Sequence, residues 1–328
     1  MKALIRGTWH PRVEDRSVYD AARALQPETL FQSWLSADPA AAFPAAPLSE
    51  VRGRYHLYVS YACPFAHRTL LYRALFGLEA VLPVSVVHPR WSGPDGWSFT
   101  PDPAFPEVTP DRANGLAALW QLYAKAKPDF TGKVTVPVLW DTKRQTIVST
   151  ESADIMRMLD LAFAGLRDDG LTFYPGRLRD EIDALGGFIR RRVNGGVYAA
   201  GFARDQAAFD EAVAAFFAAL DELEARLADG RPYLLGRCAT EVDWLLFPTL
   251  VRLDVAYAGA LKVNLKRLAD YPHLEAHTRR LYAWPGVAAT VKLAHVKRHY
   301  YDDLGVTNPA IVPPGPATPF DAPLDAAA

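Results

Sequence analysis

The stretch Tyr55–Glu79, YHLYVSYACPFAHRTLLYRALFGLE, restricts the fold more than any other part of the chain. His56 to Ser60 is β-branched, aromatic and apolar, the composition of a strand. From Pro64 the apolar residues Leu70, Leu71, Ala74, Leu75 and Leu78 recur at helical spacing, and the pattern closes around Gly77 and Glu79. Cys63 therefore stands where a strand hands over to a helix. Pro64 takes the first helical position, where a missing N–H costs nothing. The first-turn N–H groups and the positive end of the helix dipole point at the sulfur. Such surroundings lower a thiol pKa from about 8.5 toward neutrality or below, so the thiolate is populated. His67 and Arg68 are near enough in sequence to add positive potential. A free cysteine is ordinarily a small buried hydrophobe, but its place at this junction makes Cys63 the candidate nucleophile. Ala66 stands where a Cys-x-x-Cys motif would have its second thiol, so the chemistry would run through a mixed disulfide with a small external thiol.

At 328 residues the chain can build two domains with proper cores. Half of the residues are hydrophobic and the net charge is −1, which gives no electrostatic case for a nucleic-acid or membrane-surface partner. Two cysteines do not make a disulfide framework and point to a reducing compartment. The start, MKALIRGTWHPRVEDR, lacks the apolar region of a signal peptide, and no apolar run approaches the ~20 residues of a membrane span. A soluble, cytoplasmic protein is expected. The eight histidines are scattered without cysteine or carboxylate partners at ligand spacing, so no metal is expected.

Residues 1–50 carry scattered aromatics (Trp9, Tyr19, Phe31, Trp34) and no sustained period, and read as an irregular arm. Ala80–His88 reads as a second strand, parallel to the first because a helix connects them. Residues 89–115 form a long Pro/Gly/Asp-rich excursion whose tryptophans argue against disorder. A helix over 114–127, a strand over Lys133–Trp140, a short strand over Thr146–Ser149 and a helix opening at Glu151 follow. Pro137 inside the apolar run VTVPVLW is out of place in a central ladder. Either a cis Val136–Pro137 bond or a trans proline on an edge strand resolves this. From about 173 the pattern is helical: Arg179–Val193, Gln206–Leu227, Glu241–Ala256, Leu274–Tyr282 and Val287–Tyr300. Thr240 and Asp243 make a capping box with a folding role, and Cys238 just before it reads as structural. The order β-α-β, α, β-β-α, with its cysteine at the first helix start, is that of a thioredoxin-like domain. The expected plan is an arm (1–50), a thioredoxin-like α/β domain (51–165), an all-α domain (170–307) and a Pro/Ala-rich, poorly ordered tail (308–328).

A thioredoxin-like half followed by an all-helical half is the plan of glutathione transferases. The strings YHLYVSYACPFAHRTL, VSVVHP, GWSF, TGKVTVPVLWD, TIVSTESADIMRMLD, VNGGVYAAGFA, YLLGRCATEVDWLLFPTLVRLD and KRHYYD resemble, in order, blocks of the glutathionyl-hydroquinone reductases, the Xi class of that superfamily. The resemblance implies glutathione as co-substrate and glutathionyl-hydroquinones as substrates. Carried to Cys63, it implies thiolate attack on the glutathione sulfur, departure of the hydroquinone, and release of the mixed disulfide by a second glutathione as oxidised glutathione.

The same resemblance assigns the binding residues. Glu151 and Ser152, at a helix start, would hold the γ-glutamyl ammonium and carboxylate. Val136 would pair its backbone with the cysteinyl unit, and Trp97 of GWSF would contact glutathione. Lys133 stands where many relatives have an arginine that reaches the ligand carboxylate; it keeps the charge and loses the bidentate fork. Phe65 replaces the usual tryptophan of the cysteine motif. Tyr198, Tyr257 and Tyr300 match tyrosines that face the aromatic substrate, Tyr198 and Tyr300 being the catalytic pair; Tyr301 competes with Tyr300 for its place. A homodimer is expected from the resemblance alone. Two other readings fit the same architecture: an omega-like thiol transferase or dehydroascorbate reductase, and a non-catalytic binding module. Substrate preference separates the first, and an inert Cys63→Ser change would identify the second.

Overall fold

The structure, a computed structural model, describes residues 1–36, 48–167 and 169–304. The Pro/Ala-rich tail and most of the AFPAAPL stretch lie outside these. Two compact units share the chain. Met1–Thr172 together with Pro285–His299 make the first, and Phe173–Trp284 together with the described residues from Tyr300 make the second. The return of 285–299 to the first unit differs from the expected boundaries, which place everything after residue 170 in the helical domain.

The first unit begins with order where the sequence suggests an irregular arm. Strands Ala3–Ile5 (β1) and Thr8–His10 (β2) pair antiparallel through a two-residue turn, Arg6–Gly7, with both φ angles positive. That geometry suits the right-handed twist of a hairpin. Gly7 is required there twice over, since a Cβ would sit 1.8 Å from the Pro128 carbonyl oxygen. Helix Arg16–Ala24 (α1) follows, its N-cap Asp15 accepting from the Ser17 N–H. Strands of three residues are too short for a period to register, which is why composition alone reads as irregular.

After the short helix Leu48–Val51 (α2) comes the expected β-α-β unit: Tyr55–Val59 (β3), Pro64–Leu75 (α3) and Val84–Val86 (β4). β4 is parallel to β3 in the register Leu57 to Val84. It is shorter than expected because Leu78–Ala80 forms a 3-10 turn and Pro83 stands at its entry. The helix expected over 114–127 is Leu119–Ala126 (α4). Its missing first turn is used elsewhere: Asp111 accepts from the N–H groups of Ala113, Asn114 and Leu116, and Gln121 from those of Ala117 and Ala118.

Val138–Asp141 (β5) and Thr146–Ser149 (β6) complete a mixed four-stranded sheet in the order β4-β3-β5-β6. β5 is antiparallel to both neighbours. Lys133 to Pro137 lie outside the strand, because a residue without an N–H cannot enter a ladder paired on both sides. The Val136–Pro137 bond is cis. Helix Ser152–Leu161 (α5) closes this half, with Glu151 as its N-cap.

The second unit is helical, and its sequence-derived helices end in wider turns. Arg179–Phe188 (α6) runs into a π turn at Ile189–Asn194, before Gly196–Gly201 (α7). Gln206–Leu227 (α8) has the expected bounds. Glu241–Arg252 (α9) carries Pro248 inside it and passes into a second π turn, Leu253–Tyr257, and the short Ala258–Ala260 (α10). Pro272–Tyr282 (α11) packs against α8 and α9. Thr240 is the N-cap of α9, and Asp243 accepts from its N–H at 2.8 Å and its hydroxyl at 3.2 Å. Cys238 is exposed, so it is no part of the core.

The single helix expected over Val287–Tyr300 is three pieces: a 3-10 turn at Ala288–Thr290, the helix Leu293–His299 (α12), and a π turn at Tyr300–Leu304. Val291 takes an extended conformation and breaks the run. Among the described residues no helix is long and apolar enough to cross a membrane.

Candidate active site

Cys63 is the N-cap of α3, with extended φ and ψ of −75° and 122°, and Pro64 occupies the first turn. The local code behaves as elementary geometry requires: Ser60 accepts from the Cys63 N–H through its carbonyl and from the Ala62 N–H through its hydroxyl. The thiol lies 3.5 Å from the Val136 carbonyl oxygen, so residues 73 positions apart meet here. Thr135, just before Val136, is held on both sides by one hydroxyl. Tyr123 Oη donates to the Thr135 carbonyl at 2.9 Å and accepts from its N–H at 3.3 Å. Burial pushes the Tyr123 phenol up to about 12, so it stays a neutral clamp.

The two basic residues of the motif have different partners. His67 is buried, and its Nε2 lies 2.8 Å from the Thr290 hydroxyl. Arg68 is buried too, and its guanidinium donates to Ser152 Oγ at 3.0 Å. Arg68 brings a full positive charge to the start of α5, where the dipole already favours an anion. Sequence reading missed this partnership, since residues 84 positions apart carry no local signal for it. Glu151 is exposed beside Ser152, and its N–H donates to Ser149 Oγ at 3.1 Å.

Trp97 is buried in the excursion, where its carbonyl accepts from the Leu119 N–H at 2.8 Å. Its ring lies 5.2 Å from that of His299, whose Nδ1 is 3.1 Å from the Pro89 carbonyl. His299 is a residue that sequence reading did not single out. Lys133 is exposed.

In the second unit, three tyrosines gather around irregular helix. The Tyr198 and Tyr300 hydroxyls hydrogen-bond each other. Tyr257 meets Tyr300 edge-on at 5.3 Å and Tyr198 at 6.2 Å. Each belongs to or closely follows a π turn, a feature that often marks functional sites. Tyr257 and Tyr300 are fully buried, while Tyr198 is half-buried. Burial, reinforced by Tyr198 and Tyr257, drives the Tyr300 phenol well above its ordinary range. Tyr300 is therefore a neutral hydroxyl at any physiological pH. Tyr301 is 49% exposed and packs its hydroxyl against Gly259 instead. Among the described residues, no group of three or more His, Cys, Asp or Glu is placed to hold a metal ion.

Two family models match the chain: the glutathione S-transferase N-terminal domain over residues 62–162 and the C-terminal domain over 206–280. The glutathionyl-hydroquinone reductase YqjG of Escherichia coli is 43% identical over 98% of both chains. PcpF of Sphingobium chlorophenolicum, which bears the same enzyme name, is 42% identical over 98% of both. Among solved structures, glutathione-bound YqjG superposes with a TM-score of 0.81 over 98% of this chain and 97% of its own. A Xi-class transferase from Natrialba magadii does so with 0.84 at 40% identity, over 98% and 95%.

Proposed function

The chain belongs to the glutathionyl-hydroquinone reductases, the Xi class of glutathione transferases, and from that premise we propose that it reduces glutathionyl-hydroquinones through Cys63. The Cys63 thiolate attacks the glutathione sulfur of the conjugate. A sulfur–sulfur bond forms and the carbon–sulfur bond breaks. Its electron pair goes to the ring carbon, which takes a proton and leaves as the hydroquinone. A second glutathione thiolate then attacks the Cys63–glutathione disulfide, restores the Cys63 thiolate and departs as oxidised glutathione. The observation that carries this reading is a thiol at the α3 N-cap beside the Val136 carbonyl, with Ala66 where a resolving cysteine would stand.

Glutathione is the co-substrate. Val136 offers its backbone to the cysteinyl unit, Ser152 and the α5 start receive the γ-glutamyl carboxylate, and Glu151 receives the ammonium. Trp97 and Lys133 complete these contacts. The tyrosine group takes the hydroquinone oxygens. Tyr198 is its accessible member, and the neutral Tyr300 hydroxyl orients it, so that charge developing on the ring meets a hydrogen-bond donor. Tyr257 packs edge-on behind both. Action in the reducing cytoplasm as a homodimer belongs to the same proposal.

Mass spectrometry of the purified protein with a glutathionyl-hydroquinone, with and without excess glutathione, is the test. One glutathione should appear on Cys63 with free hydroquinone, and excess glutathione should strip it. An adduct that forms equally on Cys238, or none, would sink the mechanism. Turnover of hydroxyethyl disulfide above that of quinol conjugates would instead favour a general thiol transferase.

A further inference from the structure

The three segments assigned to glutathione share a neighbour with no assigned role: residues 1–35. Ahead of Trp97, the Lys2 ammonium donates to the carbonyls of Trp91, Ser92 and Gly93, and Trp9 Nε1 donates to the Pro94 carbonyl at 2.9 Å. Ahead of Lys133, Leu4 and Gly132 exchange both backbone hydrogen bonds at 3.0 Å, and the Gly7 N–H donates to the Phe130 carbonyl at 2.9 Å. Gln26 adds two more, donating to the Asp129 carbonyl and accepting from the Thr131 N–H. Ahead of Glu151, the Phe31 carbonyl accepts from the Thr150 N–H at 3.0 Å, and the Ser33 N–H donates to the Val148 carbonyl at 2.9 Å.

Phe31 links two of these segments. Its backbone is in the left-handed region at φ 61°, a costly conformation for a residue with a side chain. Its ring is buried, edge-on to Tyr123 at 5.8 Å and 5.4 Å from Phe130. Tyr123 is the residue that clamps Thr135 beside Val136. One arm residue thus touches the approach to Glu151 with its backbone and the clamp behind Val136 with its ring.

We propose that the N-terminal arm is the preorganising brace of the glutathione site, with Phe31 as its central positioning residue and Lys2 and Trp9 as the brace of the Trp97 loop. The inference rests on the glutathione reading above. A loop held in its bound conformation binds more tightly because less ordering is left to the ligand. Loops of the length of 89–115 would otherwise sample many conformations.

The test compares Phe31→Leu, Tyr123→Phe, their double variant, and Lys2→Met combined with Trp9→Leu, all in the full chain. Glutathione affinity is read by calorimetry, alongside steady-state kinetics and hydrogen exchange of residues 91–99 and 130–136. Phe31→Leu should raise the KM for glutathione about fivefold, and the Lys2/Trp9 variant about threefold, with kcat within about twofold, the size expected when one or two supporting contacts are lost. Faster exchange should appear in those segments while the melting temperature barely moves. The effects of Phe31→Leu and Tyr123→Phe should be non-additive, since one acts through the other. Unchanged affinity in variants whose loops exchange faster would overturn the proposal and leave the arm a purely structural element. Ser152→Ala and Trp97→Ala run beside them as controls. If these weaken glutathione and the arm variants do not, only the brace fails; if the controls also bind normally, the glutathione site itself is misassigned and both readings fall.

Discussion

The thiol region and the tyrosine group are built in opposite ways. Cys63 is positioned by a contiguous strand–turn–helix in which every residue obeys a local rule: extended N-cap, proline in the first turn, and Ser60 receiving the turn N–H groups. Tyr198 and Tyr300 are separated by 102 positions, and they meet only because regular helices give way to π turns near each of them. A nucleophile needs one electrostatic environment, which a helix start supplies by itself. A pair of hydroxyls in contact needs two backbones brought to the right separation, and regular helices would aim these side chains elsewhere.

The largest expected effect tests the thiol side. Cys63→Ser should lower turnover of glutathionyl-hydroquinone by about a thousandfold or more and abolish the glutathione adduct in the mass spectrum, since an alkoxide is not available to replace the thiolate. Retained turnover would mean that the contiguous site is not where the chemistry occurs. Tyr198→Phe should lower kcat by about ten- to a hundredfold with little change in the KM for glutathione, as loss of one donor to developing charge does. Tyr300→Phe should cost less, and the double variant should be no worse than Tyr198→Phe, because Tyr300 acts through its partner. Additive losses would show two independent contacts instead of one pair. Ser152→Ala should weaken glutathione by about tenfold, the value of a hydrogen bond to a charged group, and leave Cys63 alkylation unchanged.

The smallest effect concerns the scaffold under the thiol. His56 on β3 is buried, with Nε2 2.8 Å from the Ser85 hydroxyl, and burial lowers its pKa to about 4. A histidine kept neutral in the fold takes up its proton more readily once unfolded. Between about pH 6.5 and pH 4 the unfolded chain therefore binds more protons, so stability is full above this window and falls as the pH drops through it. Burial lowers His295 in the same direction, with Glu107 opposing. Denaturant midpoints between pH 7.5 and 4.5 should fall, and His56→Gln should flatten part of that slope. An unaltered slope would remove His56 as its source.

The sequence alone determined the strand–Cys63–helix junction, the β-α-β unit, α8 at its observed bounds and the capping box at Thr240 and Asp243, because each is set by neighbours a few residues away. The blocks running from Tyr55 to Asp302 carried the family resemblance in the same way. Tertiary structure decided what depends on distant partners. It turned an arm without visible period into a hairpin and a helix pairing with Gly132, and it confined the third strand to Val138–Asp141. It also broke the last expected helix at Val291 and brought Arg68 to Ser152. Local rules cover capping, period and proline, whose energies are settled within a turn or two. A three-residue strand or a buried guanidinium acquires its partner only when the rest of the chain has closed around it.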